Sequence, residues 1–148
     1  MNDYDYISAT EVRNNFSDTL NGAVYIKPQI IKRNSNYALL MSQKQVFDLL
    51  DQMKLHAIIE KDSDGSFLAT CKEIEDLHGT GKTKEDALND LSAYLDIYAH
   101  EFYAHYESFV NSNRKAHLPY IFKVMTASSD YELKDMFVCQ DGKNWKDI

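Results

Sequence analysis

Four small groups of residues hold the chemistry open to this chain, and their spacing decides what each amounts to. Gly79-Thr80-Gly81-Lys82-Thr83 imitates the end of a phosphate-binding loop. The full loop is G-x-x-x-x-G-K-[ST], because several backbone amides must wrap the phosphates. Its first glycine would fall at Asp76, in an acidic segment with Glu73 and Glu75 that repels phosphate. The string therefore reads as a strand end followed by a helix cap. His100, Glu101 and His105 share a helical stretch, but a helical zinc pair needs histidines four apart. A spacing of five sets the two rings roughly 140° apart, so no metal site is expected. Asp62 and Asp64 flank a turn, where carboxylates serve turn chemistry. Cys71 and Cys139 belong to no C-x-x-C pattern, and G-x-S-x-G is absent. The chain is expected not to be an enzyme and to need no cofactor. The fourth group is Arg13, Asn14, Lys32 and Arg33, three bases and an amide suited to phosphate and base edges.

The elements that must position these residues follow from local pattern. Ser8 and Glu11 have capping-box spacing, and Val12, Phe16, Leu20 and Ala23 mark the buried stripe of the helix they open. Asn21-Gly22 is the expected stop. Two strand-like runs, residues 24–33 and 37–41, surround Asn34-Ser35-Asn36, a hairpin turn that tolerates left-handed backbone. Ser42 and Gln45 form a second capping box, opening a helix with Val46, Phe47, Leu49, Leu50 and Met53 on its apolar side. Then come a strand at Ala57-Ile58-Ile59, the turn Asp62-Ser63-Asp64-Gly65, the strand 66–71 and a short strand over 77–81. Thr83 caps a long helix with Ala87, Leu88, Leu91, Leu95 and Tyr98 inward, expected to run to about Ser112. Its second half is aromatic: Tyr94, Tyr98, Phe102, Tyr103, Tyr106 and Phe109, a stripe that suits a core or dimer interface. After Pro119 come Tyr120, Phe122 and a capped helix expected from Ser129 to about Val138.

Composition sets the class. The chain has 148 residues, 44% hydrophobic and 26% charged, the profile of a globular protein of one domain or two small ones. No apolar run approaches a membrane span, and the acidic start Met1-Asn2-Asp3-Tyr4-Asp5 is unlike a secretory signal. A reduced, cytoplasmic protein is expected. The net charge is −7, unevenly placed. Residues 1–54 hold six acids and six bases, residues 55–110 twelve acids and four bases, and residues 111–148 five acids and six bases. The middle segment is thus unsuited to phosphate, whereas a small basic patch in the first is not.

Two family resemblances attach to these motifs. Ile7-Ser8-Ala9-Thr10-Glu11, with Arg13, Phe16 and Ser17, and the strand Ala38-Leu39-Leu40-Met41-Ser42 resemble the DNA-binding half of a Phd/YefM-family antitoxin. Ala57-Ile58-Ile59-Glu60-Lys61-Asp62 with Asp64-Gly65, then Gly81-Lys82-Thr83-Lys84-Glu85-Asp86-Ala87-Leu88, resemble a HicB-like antitoxin domain. Together they cover about residues 6–100. Departures are Ser35 and Asn36 where glycine and Lys or Pro are common, and Ile74-Glu75-Asp76-Leu77 where Pro-Gly usually precedes the third strand.

The resemblance implies an α+β fold in three parts: a Phd/YefM-like DNA-binding and dimerisation domain (1–54), a HicB-like ββ(β)α domain with extended helix (55–112), and an aromatic C-terminal tail (113–148). It implies an antitoxin of a bacterial type II toxin–antitoxin system that binds its toxin and represses its operon as a homodimer or tetramer. Arg13, Asn14, Lys32 and Arg33 are the implied DNA contacts. Tyr120, Phe122, Phe137 and Trp145 in the tail are the candidate toxin contacts, unless the tail folds back on the HicB-like block. Two other classes stay open: a regulator that senses a small molecule through the HicB-like block, and a nuclease of RNase H-like ancestry.

Overall fold

The computed structural model describes residues 5–148, so residues 1–4 of the acidic start lie outside the described residues. The fold is α+β, with six α-helices and two small sheets among the described residues. The chain divides into two compact units, Met1–Asp48 and Leu49–Ile148.

The first unit is a three-stranded sheet in the order β1-β2-β3, with β1 at Ile7–Ser8, β2 at Gln29–Arg33 and β3 at Asn36–Leu40. Its helices are α1 (Ala9–Asn14), α2 (Phe16–Tyr25) and α3 (Gln43–Leu49). Ser8 Oγ accepts from the Glu11 amide at 3.1 Å and starts α1 as its spacing requires. The single helix expected from here is broken at Asn15, whose φ of −131° and ψ of 42° are not helical. Gly22 does not stop α2. It sits inside the helix because Gln29 lies against it: a Cβ there would stand 3.2 Å from Gln29 Nε2. Pro28 follows the end of α2 and cannot extend it. The β2–β3 hairpin closes on Asn34-Ser35, with Asn34 at φ 56° as a primed turn requires. At α3 the second capping box is complete: the Gln45 amide donates to Ser42 Oγ at 3.1 Å, and the Ser42 amide to Gln45 Oε1 at 2.9 Å. The helix ends at Leu49, short of Met53.

The second unit is a four-stranded sheet in the order β6-β5-β4-β7, covered on one face by a long helix. Strict alternation in β4 (Leu55–Lys61) sends Leu55, Ala57 and Ile59 inward. The turn to β5 (Phe67–Cys71) is set by Gly65 at φ 89° and by Asp64, whose carboxylate accepts from the Ser66 amide at 2.8 Å and its hydroxyl at 2.6 Å. Those bonds from Ser66 hold the Asp64 carboxyl below its ordinary range.

β6 (His78–Gly81) lies against α4 (Lys84–Ala104) so closely that two positions admit no side chain. A Cβ at Gly79 would meet Leu91 N at 2.2 Å, and one at Gly81 would meet Ala87 N at 2.4 Å. The glycines that imitate a phosphate loop are there for this approach. Thr83 and Asp86 cap α4 reciprocally, at 3.0 and 3.2 Å. Its inward stripe is Ala87, Leu88, Leu91, Leu95, Tyr98, Ala99 and Phe102. The expected 29-residue helix ends early, breaking at His105 (φ −116°, ψ 35°) before α5 (Tyr106–Val110).

Residues beyond 112 fold back onto this core. α6 (Leu118–Thr126) buries Ile121 and Val124, with Pro119 in its first turn. Lys123 is 1% exposed and donates to the carbonyls of Asp51 and Met53 at 2.9 and 3.0 Å, fixing the approach to β4. Burial, then Lys54, holds its ammonium below the usual lysine range. The helix expected over 129–138 is instead a 3-10 turn at Leu133–Met136, leading into β7 (Phe137–Val138) parallel to β4. The two-residue strand is held by its pairing with Leu55 and His56 of β4, and Met136, Phe137 and Cys139 are buried around it. The buried thiols are pushed up, Cys71 to about 11, and both cysteines are free.

One polar chain ties α4 to the segment before α6. Asp76 accepts from Arg114 at 2.9 Å, Arg114 donates to the Tyr98 hydroxyl at 3.2 Å, and that hydroxyl lies 2.7 Å from His117 Nδ1. Burial first, and Arg114 second, depress the His117 pKa from 6.5.

Two outcomes are expected. Gly79→Ala should lower the urea unfolding free energy by about 2 kcal/mol or more, the cost of overpacking. Lys82→Ala, on the exposed neighbour, should stay within about 0.5 kcal/mol. The second outcome concerns pH. With its folded pKa below 6.5, His117 contributes fully above 6.5, and that contribution is lost as pH falls through the folded value, because the unfolded chain takes the proton first. The unfolding midpoint should therefore drop between pH 7.5 and 5.5, and His117→Asn, which keeps an acceptor for Tyr98, should drop less.

Candidate functional site

Lys32 and Arg33 stand at one end of the first unit's sheet, beside the start of α1. β1 runs parallel to β2, with Ser8 opposite Lys32, so the start of α1 lies beside the end of β2. A shallow cleft of about 440 Å³ opens there, lined by Tyr6, Ser8, Thr10, Lys32, Arg33 and Asn34 among others. Lys32 is held in place. Its Nζ donates to the Tyr6 hydroxyl at 3.3 Å and stands 4.6 Å from the Tyr6 ring centre and 5.8 Å from that of Tyr37. The two rings meet edge to face at 5.9 Å. Such an arrangement orients the ammonium beside two ring faces. Arg33 is exposed at the hairpin tip. Arg13 and Asn14 are exposed on α1, one turn beyond Ala9 and Thr10 and therefore on their side of the helix. Of the four sequence-selected residues, Lys32 and Arg33 line this cleft, while Arg13 and Asn14 lie outside it at the far end of α1. The tyrosines that orient Lys32 were not selected from sequence. Their signal is that position 6 precedes β1 and position 37 opposes Lys32 across the hairpin.

The helical stripe of this unit is not buried within it. Phe16 is 58% exposed, Leu20 40% and Val24 44%, and Tyr37 and Leu39 of β3 are also exposed. Among the described residues of the unit, only Thr19 and Ala23 are buried. The expectation of a buried Phe16 and Leu20 is corrected: the periodicity is right, but the chain supplies nothing of this unit to cover it.

In the second unit the tail aromatics take different places. Phe137 is 1% exposed, inside the core, so it presents no surface; the strand that carries it is bound to β4. Trp145 is half-buried, donating from Nε1 to Asp135 at 2.7 Å, with Lys134 Nζ 3.7 Å from its ring centre. Tyr120 is half-buried, its hydroxyl pKa raised by burial. Phe122 is half-buried against Tyr106, ring centres 6.3 Å apart. The aromatic stripe of the long helix divides: Tyr98 and Phe102 face inward, while Tyr94 and Tyr103 are half exposed.

Elsewhere, His100 Nδ1 lies 2.9 Å from the Asp96 carbonyl and His105 Nδ1 3.1 Å from that of Glu101, local contacts one turn back. Among the described residues, no three His, Cys, Asp or Glu side chains gather as a metal site, and no helix is long and apolar enough to cross a membrane.

Residues 3–138 match the PHD_like family, described as the antitoxin of a toxin–antitoxin, RelE/RelB, TA system. The fold is similar to the crystal structure of an antitoxin part of a toxin/antitoxin system from Syntrophomonas wolfei subsp. wolfei. The two share 34% identity over 91% of this chain and 97% of that one, with a TM-score of 0.84. No curated protein matches the sequence.

Proposed function

The chain belongs to this family of toxin–antitoxin antitoxins, and from that premise we propose that it neutralises a cognate toxin by direct binding and represses its own operon by binding DNA. The observation that carries the reading is the division of labour between the units. The first unit brings Lys32 and Arg33 beside the start of α1, carries Arg13 and Asn14 exposed on that helix, and is electrically balanced over residues 1–54. The second carries the acidic excess and suits a protein partner rather than phosphate. The first unit is read as Phd/YefM-like and the second as HicB-like, with residues 113–148 completing it.

Homodimerisation follows from the uncovered stripe. Burying Phe16, Leu20 and Val24 against a second copy contributes about 1.5–3 kcal/mol each if burial is complete. A two-fold pair doubles the basic end, so the operator is expected to be palindromic. The toxin contact is assigned to the second unit, where Tyr120, Phe122 and Trp145 keep partly exposed faces. The action is regulatory and stoichiometric rather than catalytic, in the cytoplasm.

Light scattering should give a dimer for the natural chain and the 17.1 kDa monomer for Leu20→Glu. A natural chain that stays monomeric at micromolar concentration would refute the dimer. In gel-shift titrations on the upstream operon DNA, Arg13→Ala and Arg33→Ala should each weaken binding by about 1–3 kcal/mol where the side chain reads a base. A phosphate contact should instead flatten the salt dependence. Unaltered affinity in both variants would move the DNA contact elsewhere.

A further inference from the structure

From Glu85 to Asn113 the chain carries Glu85, Asp86, Asp90, Asp96, Glu101 and Glu107 and no Lys or Arg. Most of this run is α4, whose inward stripe is occupied by the core. On its outer side the residues Asp90, Tyr94, Ile97 and Glu101 follow one another at spacings of four, three and four, and so line one face. Tyr94 is 50% exposed and Ile97 62%, a ring and a branched aliphatic chain left to water with a carboxylate at either end. Asp90 also accepts from the Thr80 amide at 2.9 Å, occupying an outward-pointing donor of the edge strand β6. A partner meeting this side of the unit therefore encounters the helix face instead of an open strand edge.

We propose that the Asp90–Tyr94–Ile97–Glu101 face of α4 is the docking surface for the toxin, and that the toxin meets it with a basic surface. The inference rests on the antitoxin reading and moves the centre of the toxin contact from the partly exposed tail aromatics to one face of α4. Charge selects the occupant. Two copies of this face would oppose carboxylate to carboxylate in a chain already at −7, and nucleic acid or an anionic lipid surface would be repelled. A basic protein surface alone pairs both carboxylates while covering the two apolar side chains. The arrangement, apolar centre with charged rim, is that of an interface hot spot. A toxin that acts on RNA needs a basic surface for its substrate. Covering that surface with acids blocks it directly.

The test uses the full-length chain and, as probe, the separately purified product of the adjacent reading frame of its operon, by calorimetry. The double variant Tyr94→Ser/Ile97→Ser and the single variant Glu101→Lys should each weaken binding at least tenfold, with a shallower salt dependence for Glu101→Lys. Tyr103→Ser, on the opposite flank of α4, should change it less than twofold. Variants that bind as tightly as the natural chain overturn the proposal. Should the double variant fail to fold, a photo-crosslinking residue at position 97 decides: crosslinks to the probe protein support the face, and crosslinks to a second copy of the chain, or to the probe only from position 60 on the far side of the sheet, overturn it. A natural chain with no affinity for the probe overturns the neutralisation reading itself, an outcome distinct from loss in the variants alone.

Discussion

The second unit depends on the contact between β6 and α4. Two backbones meet there with no side chain between them, and only glycine at positions 79 and 81 permits it. The closeness brings Leu88, Leu91 and Leu95 down onto the sheet and lets Asp90 reach the Thr80 amide on the strand's outer edge. It also fixes which face of α4 is left to solvent. The capping pair Thr83 and Asp86 starts the helix with only two residues between it and the strand, so strand, cap and helix act as one piece.

The remaining strand and helix of that unit are fastened by polar side chains that reach backbone carbonyls. Lys123 reaches two carbonyls ahead of β4, and Gln140 donates to the Ile59 carbonyl at 2.6 Å beyond the short β7. Each satisfies backbone acceptors, those of Asp51 and Met53 before β4 and that of Ile59 within it. The side-chain series from Asp76 through Arg114 and Tyr98 to His117 ties the segment between α5 and α6 to α4. Such bonds specify one arrangement where apolar packing alone would tolerate several.

The first unit follows the opposite plan. Its sheet is small, its helices are short, and its most apolar residues are exposed. Three strands and three brief helices enclose too little volume to bury Phe16 or Leu20, so within the unit only small Ala23 and Thr19 fit under cover. The basic residues are placed by hydrogen-bond register instead: parallel pairing of Ile7-Ser8 with Ile31-Lys32 sets the start of α1 beside the hairpin end.

What the sequence determined by itself was whatever depends on neighbours within about a turn. The caps at Ser8, Ser42 and Thr83, the turns at Asn34 and Gly65, the alternation of β4 and the inward stripe of α4 all follow from local spacing, and the antitoxin family from the motifs they form. That Lys32 and Arg33 sit beside a hairpin turn was legible too, though not that Tyr6 and Tyr37 would orient Lys32. Tertiary structure alone decided the rest. Periodicity told that Phe16 and Leu20 share a face, but exposure depends on what distant chain arrives to cover it. Local spacing suggested one more capped helix over 129–138, but the short strand that forms at Phe137–Val138 required β4 as a partner. The glycines at 79 and 81 spell part of a phosphate loop in one dimension; a helix backbone lying where their side chains would be gives them a different purpose in three.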